Sequence, residues 1–441
     1  MENTRTAADL IIDAAWIIPI EPQGIVLRDH SVVVSEGKIV ALMPTARAHA
    51  RFDAEEYVQL EQHVLIPGLV NTHTHAAMTL LRGYADDLPL MRWLQEYIWP
   101  AEQKHVSPEF VYDGTMLACA EMLRGGVTCA NDMYFFPGDA ARAFKDAGMR
   151  ASVGLIAMEY PSAYAVDADD YIAKGLEVRD QYSDEPLLSF CMAPHAPYTV
   201  SDRTFERVLT IAEELDLPIH LHLHETEDEI EVSIREHGVR PFERMRRLGL
   251  VSPRLIGVHA IHLLHAEIEA LALSGSSIAH CPTSNLKLAS GFAPIAALLA
   301  ADANVAIGTD GAASNNRLDM FAEMRLAALL AKAVAKDAST LPAHEALRCA
   351  TLRGARALGL ESRIGSIEIG KDADLTAVRM NDLSDLPCYD PASHLVYVGG
   401  REQVTHVWVA GQLHMSDGSL IRPKIKELEI PVRLWHNRIA P

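Results

Sequence analysis

Between about Leu65 and Gly311 this chain alternates short apolar runs with stretches of helical periodicity, and few folds accommodate that alternation. The apolar runs are Leu65–Asn71, Val127–Met133, Ala151–Ile156, Leu187–Pro194, Pro218–Leu223, Leu255–Val258, Ser277–His280 and Asn304–Gly308. Between them, Asp202–Leu215 and Pro241–Leu248 carry apolar residues at helical spacing. Eight strands with intervening helices predict an α/β protein of the (β/α)8 TIM-barrel type. The flanks read differently. Ser31–Val40 looks like a hairpin with a glycine turn, and short β-runs recur at Asp374–Val378 and Val404–Leu413. The simplest partition is one small β-sandwich built from residues 1–62 and 365–441, with the barrel of residues 63–364 inserted between its halves.

Composition bounds the function. A chain of 441 residues, 49% of them hydrophobic, can bury a large core. Its formal net charge of −20 opposes binding to nucleic acid or to an anionic membrane surface. The apolar run Ala293–Ala301 is too short to span a bilayer, and Met1 to Pro19 lacks a basic leader. Six scattered cysteines without a Cys-X-X-Cys pair argue for reduced thiols in the cytoplasm. The expected partner is a small molecule, and the expected assembly a homo-oligomer.

In a barrel of this kind reactive side chains sit at the C-terminal ends of strands. Reading those ends in order gives His73 and His75 after the first strand and His195 after the fourth. His220, His222, His224 and Glu225 stand on or after the fifth, His259 and His262 at the sixth, and Asp310 after the eighth. His73 and His75 are two apart and share a strand face. Imidazoles with a carboxylate suit Zn2+ or Fe2+, whereas an oxygen-only set would suit Mg2+ or Ca2+. Three histidines and one aspartate leave a position for water, whose pKa the ion lowers. Asp310 can take the proton of that water. Glu225 can lie beside the ion without ligating it, as a proton shuttle to a ring nitrogen suits. His259 can stabilise the attacking hydroxide or the developing negative charge. Spacing alone does not choose among His220, His222 and His224. Binuclear hydrolases of this architecture bridge their metals with a carboxylated lysine on the fourth strand; Leu187–His195 has no lysine, so one metal is expected.

The segments Pro67–His75, His222-Leu223-His224-Glu225-Thr226, Ser284–Leu288 and Gly308–Asn316 resemble the amidohydrolase superfamily. They are most similar to its 5-methylthioadenosine/S-adenosylhomocysteine deaminases, relatives of the chlorotriazine hydrolases. Gly365–Asp374 resembles the family's return from barrel to β-module, and the similarity spans nearly the whole chain. The resemblance implies one Zn2+ per subunit, with Fe2+ as the alternative, held by His73, His75, His222 and Asp310. It selects His222 through the family's His-X-X-Glu arrangement with Glu225. It implies catalytic roles for Glu225, His259 and Asp310, and substrate contacts by Glu102, His195, Glu225 and Asp310. Without it, Glu102 reads as a solvated helix residue. Ala76 to Glu102, with Trp93, Tyr97 and Trp99, is expected either to cover the site or to pack on the barrel rim. Some relatives carry an arginine after the third strand for a homocysteine carboxylate; Ala151–Ile156 offers none. The implied activity is hydrolytic deamination at C6 of 5'-methylthioadenosine, S-adenosylhomocysteine or adenosine. Deamination of guanine or another free base, and s-triazine hydrolysis, are the alternatives within the superfamily, and a non-catalytic scaffold is the alternative outside it.

Overall fold

The computed structural model describes residues 5–440. Residues Met1 to Thr4 of the expected leader-free stretch, and Pro441, lie outside them. The chain opens with β1 (Thr6–Ile17), β2 (Leu27–Ser35), β3 (Lys38–Pro44) and β4 (Phe52–Pro67). Eight barrel strands follow: β5 (Leu69–Thr74), β6 (Val127–Tyr134), β7 (Arg150–Ala157), β8 (Leu188–Pro194), β9 (Ile219–Leu223), β10 (Leu255–His259), β11 (Ser277–His280) and β12 (Asn304–Ile307). The chain returns through β13 (Leu375–Arg379), β14 (Val404–Val409), β15 (Gln412–Ser416) and β16 (Ser419–Leu420).

Strands β5 to β12 pair in parallel in chain order. Every residue of β6 and β7 is buried, because a barrel strand faces the interior on one side and a helix on the other. The ring closes between its first and last strands. The carbonyl of His73 accepts from the amides of Thr309 and Asp310 at 3.1 and 3.0 Å, and Thr72 Oγ1 donates to the Ile307 carbonyl at 2.8 Å. Gly308 makes this approach feasible, since a Cβ there would lie 2.8 Å from the His73 nitrogen. Side-chain oxygens cap several surrounding helices: Ser201 accepts from Thr204 N at the start of Asp202–Glu214, and Thr226 from Glu229 N at the start of Glu227–His237.

The second sheet has the order β16-β15-β14-β13-β4-β1-β2-β3, so both ends of the chain build it and the barrel is inserted between them. Its strands are apolar on both faces: Leu10 and Ile12 join one buried cluster, while Ile11 joins another. The expected hairpin forms between β2 and β3, and its turn residues Glu36 and Gly37 both have positive φ. Three details depart from the sequence reading. The single run Leu65–Asn71 divides at Gly68, with Leu65–Pro67 ending β4 and Leu69 opening β5. A Cβ at Gly68 would lie 2.1 Å from the Thr128 side chain, so the crossing between sheets requires glycine. Val404–Leu413 is not one run either; Ala410 and Gly411, both at positive φ, turn β14 into β15. A helix also spans Ile425–Ile439, in the segment read as β-structure. Its Trp435 meets Phe110 edge-on at 5.3 Å and donates to Asp113 at 2.8 Å, which fixes it on the helix Pro108–Arg124.

At the N-terminal end of the barrel, Arg150 opens β7 with its side chain 1% exposed. Its Nε and Nη2 donate to Asp374, and Nη2 also to Asp372, all at 3.0 Å. Asp372 further accepts from Lys38 and Arg363. Burial alone would raise the Asp372 carboxyl; Lys38, Arg150 and Arg363 outweigh it and hold the pKa below its ordinary value.

Candidate metal and catalytic centre

At the opposite end of the barrel, β5 delivers His73 within the strand and His75 one residue beyond it. Both Nε2 atoms face Asp310 Oδ1, at 3.3 and 3.4 Å. Two donors on a tetrahedral zinc with bonds of ~2.0–2.1 Å stand about 3.4 Å apart. The ligand atoms of His73, His75 and Asp310 lie within 4.8 Å of one another, and so do those of His73, His222 and His259. The two triples share His73. Its Nε2 is buried and has no hydrogen-bond partner, a costly arrangement for a group that nothing coordinates. The donors and their spacing therefore fit a divalent ion of the zinc type.

Each ring is oriented from behind. His73 Nδ1 lies 3.0 Å from His220 Nε2, His75 Nδ1 2.6 Å from the Met133 carbonyl, and His222 Nδ1 2.8 Å from the His195 carbonyl. These contacts leave the Nε2 atoms for the centre. Ser284 donates to Asp310 Oδ2 at 2.6 Å, so Oδ1 is the oxygen left facing the imidazoles. Burial pushes His73 down to about 4, with Asp310 pulling the other way, and drives His222 well below the usual histidine range. Both are thus neutral near pH 7, the form that ligates metals. Burial opposes charge on Asp310 too, but His73, His75 and His259 keep its carboxyl well below the ordinary value.

Glu225 follows β9 and is buried, with its Oε1 3.7 Å from His259 Nε2. Burial raises its pKa against the pull of His259, which favours a carboxyl able to carry a proton. Glu229 fixes the turn by accepting from the His224 and Glu225 amides at 2.9 and 2.8 Å. His259 Nδ1 pairs with Asn285 Oδ1 at 2.8 Å. His224, His259 and Asp310 all have positive φ at the strand ends, a backbone strain often found where side chains are aimed at a site.

Glu102 lies in the helix Trp99–His105 and accepts from the Tyr134 hydroxyl at 2.7 Å. Burial lifts its pKa to about 7, against the Tyr134 hydrogen bond. That is not a solvated helix residue. His195 lies 5.1 Å from His222 between ring centroids with the rings tilted, and burial lowers its pKa to about 3. In the segment Ala76 to Glu102, Trp93 is buried and donates to the Ala85 carbonyl, whereas Tyr97 and Trp99 are exposed. His224 turns away, its Nε2 accepting from Phe242 N, and His262 Nε2 meets the Ser290 carbonyl. His220 lies one layer deeper, behind His73. Four supporting residues carried no assigned role in the sequence: His220, Ser284, Asn285 and Tyr134. Ser284 and Asn285 lie within the segment Ser284–Leu288, which is the signal the sequence offers for them.

A model of the amidohydrolase family matches residues 64–414. A 5-methylthioadenosine/S-adenosylhomocysteine deaminase from Teredinibacter turnerae is 46% identical over 440 residues, covering 100% of this chain and 99% of that protein. Its namesake from Saccharophagus degradans is 44% identical over 437 residues, covering 99% and 98%. A crystal structure of an adenosine deaminase from Xanthomonas campestris with bound zinc superposes with a TM-score of 0.98 at 53% identity, covering 99% of both chains. Atrazine chlorohydrolase TrzN from Arthrobacter aurescens TC1, complexed with zinc, shares the fold with a TM-score of 0.90 at 23% identity, over 97% of this chain and 99% of that one.

Proposed function

We propose one reaction for this chain, which belongs to the amidohydrolase family and is a metal-dependent aminohydrolase: hydrolytic deamination at C6 of an adenine nucleoside, 5'-methylthioadenosine foremost. The observation that carries the reading is the buried, unpartnered His73 Nε2 among His75, His222 and Asp310, with the raised carboxyl of Glu225 beside it. His73, His75, His222 and Asp310 would hold a single zinc ion. When bound, that ion supplies a water acidified enough to attack at neutral pH.

The protein's own groups supply the rest. Asp310, held ionised and bonded through Oδ2 to Ser284, accepts the proton of the attacking water on Oδ1. Glu225 delivers its proton to N1 of the adenine as the C6–O bond forms, so the ring gains no net negative charge. His259, with Nδ1 tied to Asn285, presents Nε2 to the attacking water. The C6–N bond then breaks, the proton on Asp310 goes to the departing amino group, and the C6 hydroxyl returns its proton to Glu225. One water is consumed, and the products are ammonia and the inosine analogue. Glu102 binds ribose hydroxyls, and His195 contacts the substrate beside His222. The enzyme acts as a homo-oligomer in the cytoplasm. The buried, unpaired thiols of Cys119, Cys129, Cys191, Cys281 and Cys349 support that compartment. No helix among the described residues is long and apolar enough to cross a membrane.

Adenosine is the second reading for the preferred substrate, favoured by the zinc-containing Xanthomonas relative. The test measures ammonia release from 5'-methylthioadenosine, S-adenosylhomocysteine, adenosine and guanine by zinc-loaded protein. Turnover of the thioether nucleoside above the others supports the proposal; turnover of guanine alone overturns it. Glu225→Gln should cut kcat by ~10²–10⁴-fold with zinc retained. Near-normal turnover in that variant would refute the proton-shuttle role.

A further inference from the structure

Lys287 stands at a junction that the reaction above does not use. The helix Pro282–Lys287 follows β11, and three of its six residues reach different partners. Ser284 Oγ donates to Asp310 Oδ2 at 2.6 Å. Asn285 Oδ1 accepts from His259 Nδ1 at 2.8 Å. Lys287 Nζ donates to Asp86 Oδ1 at 2.6 Å and to the Ala313 carbonyl at 3.3 Å, and also bonds Asn316 Oδ1. The second oxygen of Asp86 accepts from Asn316 Nδ2 at 3.0 Å. One ammonium thus joins the loop Arg82–Pro89, the helix after β11 and the loop that follows Asp310.

The loop Arg82–Pro89 leads directly into the helices that carry Glu102. Asp87, next to Asp86, has φ 62°, a left-handed conformation that a non-glycine residue seldom adopts unaided. The hydrogen bond from Lys287 is the main influence lowering the Asp86 carboxyl pKa. The pair is partly exposed, with side chains 20% and 36% accessible, and such pairs add little to global stability. A displacement of ~1 Å at a catalytic group, by contrast, can cost ~10²-fold in rate.

We propose that Lys287 is a positioning residue: it couples the loop Arg82–Pro89 to the helix that holds Asp310 and His259, so that these two side chains are aligned only when the loop is in place. The catalytic consequence rests on the deamination reading above, whereas the mechanical coupling is a property of the chain itself.

Zinc-loaded full-length protein is compared with Lys287→Met, Lys287→Arg, Asp86→Asn and the Lys287→Met/Asp86→Asn double variant. Amide hydrogen exchange is followed alongside kcat, KM, zinc content and Tm. Lys287→Met should speed exchange in residues 82–89 and 282–290 together. It should lower kcat by ~10–100-fold at unchanged zinc content and Tm. Lys287→Arg should restore most of the rate, and the double variant should be no slower than the slower single one. Faster exchange confined to residues 82–89, or a kcat within about twofold of the parent, overturns the proposal. So does a loss of rate that merely tracks lost zinc or a lower Tm. If the parent protein deaminates no nucleoside, the reaction reading fails, and the paired exchange response still decides the coupling.

Discussion

The barrel buries ionisable side chains at both ends, and the two sets are finished differently. At the N-terminal end, the guanidinium of Arg150 makes three hydrogen bonds to Asp374 and Asp372, and only its Nη1 lacks a partner. At the C-terminal end, His73, His75, His222 and His259 point their Nε2 atoms towards one another and Asp310, while their Nδ1 atoms are bonded. The first set neutralises itself and joins the barrel to the second sheet. The second leaves the lone pair of His73 Nε2 without a partner, where a bound cation is the proposed occupant. Burial of charge is common to both; the direction in which the lone pairs face separates a brace from a receptor.

That contrast can be broken most forcefully at the brace. Arg150→Leu removes the guanidinium bonded to buried Asp374 and one of three cations bonded to Asp372, and should remove ~3–5 kcal/mol of stability, read as a lower midpoint in denaturant. Activity per folded molecule should be unchanged; if it falls in step with stability, the two ends are not independent. At the receptor, His220→Phe removes the contact behind His73 and should weaken zinc binding by ~10–100-fold, measured by competition with a chelator. The metal-free midpoint of that variant should move far less than that of Arg150→Leu. Asn285→Ala frees the His259 ring and should lower kcat by about tenfold, with zinc content preserved.

The smallest effect is on pH dependence. The folded protein depresses the pKa of Asp372, so the stabilisation is present above its unfolded pKa and is lost as pH falls through the lower folded value. Tm should therefore drop on acidification through the carboxylate range. The drop should be shallower in Arg150→Leu, where part of the depression is gone.

The barrel was legible because parallel strands covered on both faces appear as continuous apolar runs, and each of the eight runs contains residues of a barrel strand. Their boundaries were less so. Pro67-Gly68 interrupts the first run with a turn signal, and the contact with Thr128 shows why the chain changes sheets there. The terminal helix Ile425–Ile439 was hidden by Pro431 within it and by the lack of a capping side chain. The histidines of β9 show the same limit. His220, His222 and His224 share a face by period two, and depth along the strand sorts them. His220 sits behind His73, His222 reaches the centre, and His224 leaves the strand at φ 55° to meet Phe242. Ser284 and Asn285 are small polar residues near a helix start, indistinguishable in sequence from ordinary capping chemistry.

The seam that joins β5 to β12 has one more consequence. Thr72 and Ile307, bonded across it, are 235 residues apart, and His73 and Asp310 of the centre sit on its two sides. A growing polypeptide presents His73 and His75 first, then His222, and Asp310 only after the last barrel strand. With the proposed ligand set, ion capture would require a finished ring, and metal content in a cell extract would become a count of correctly completed molecules.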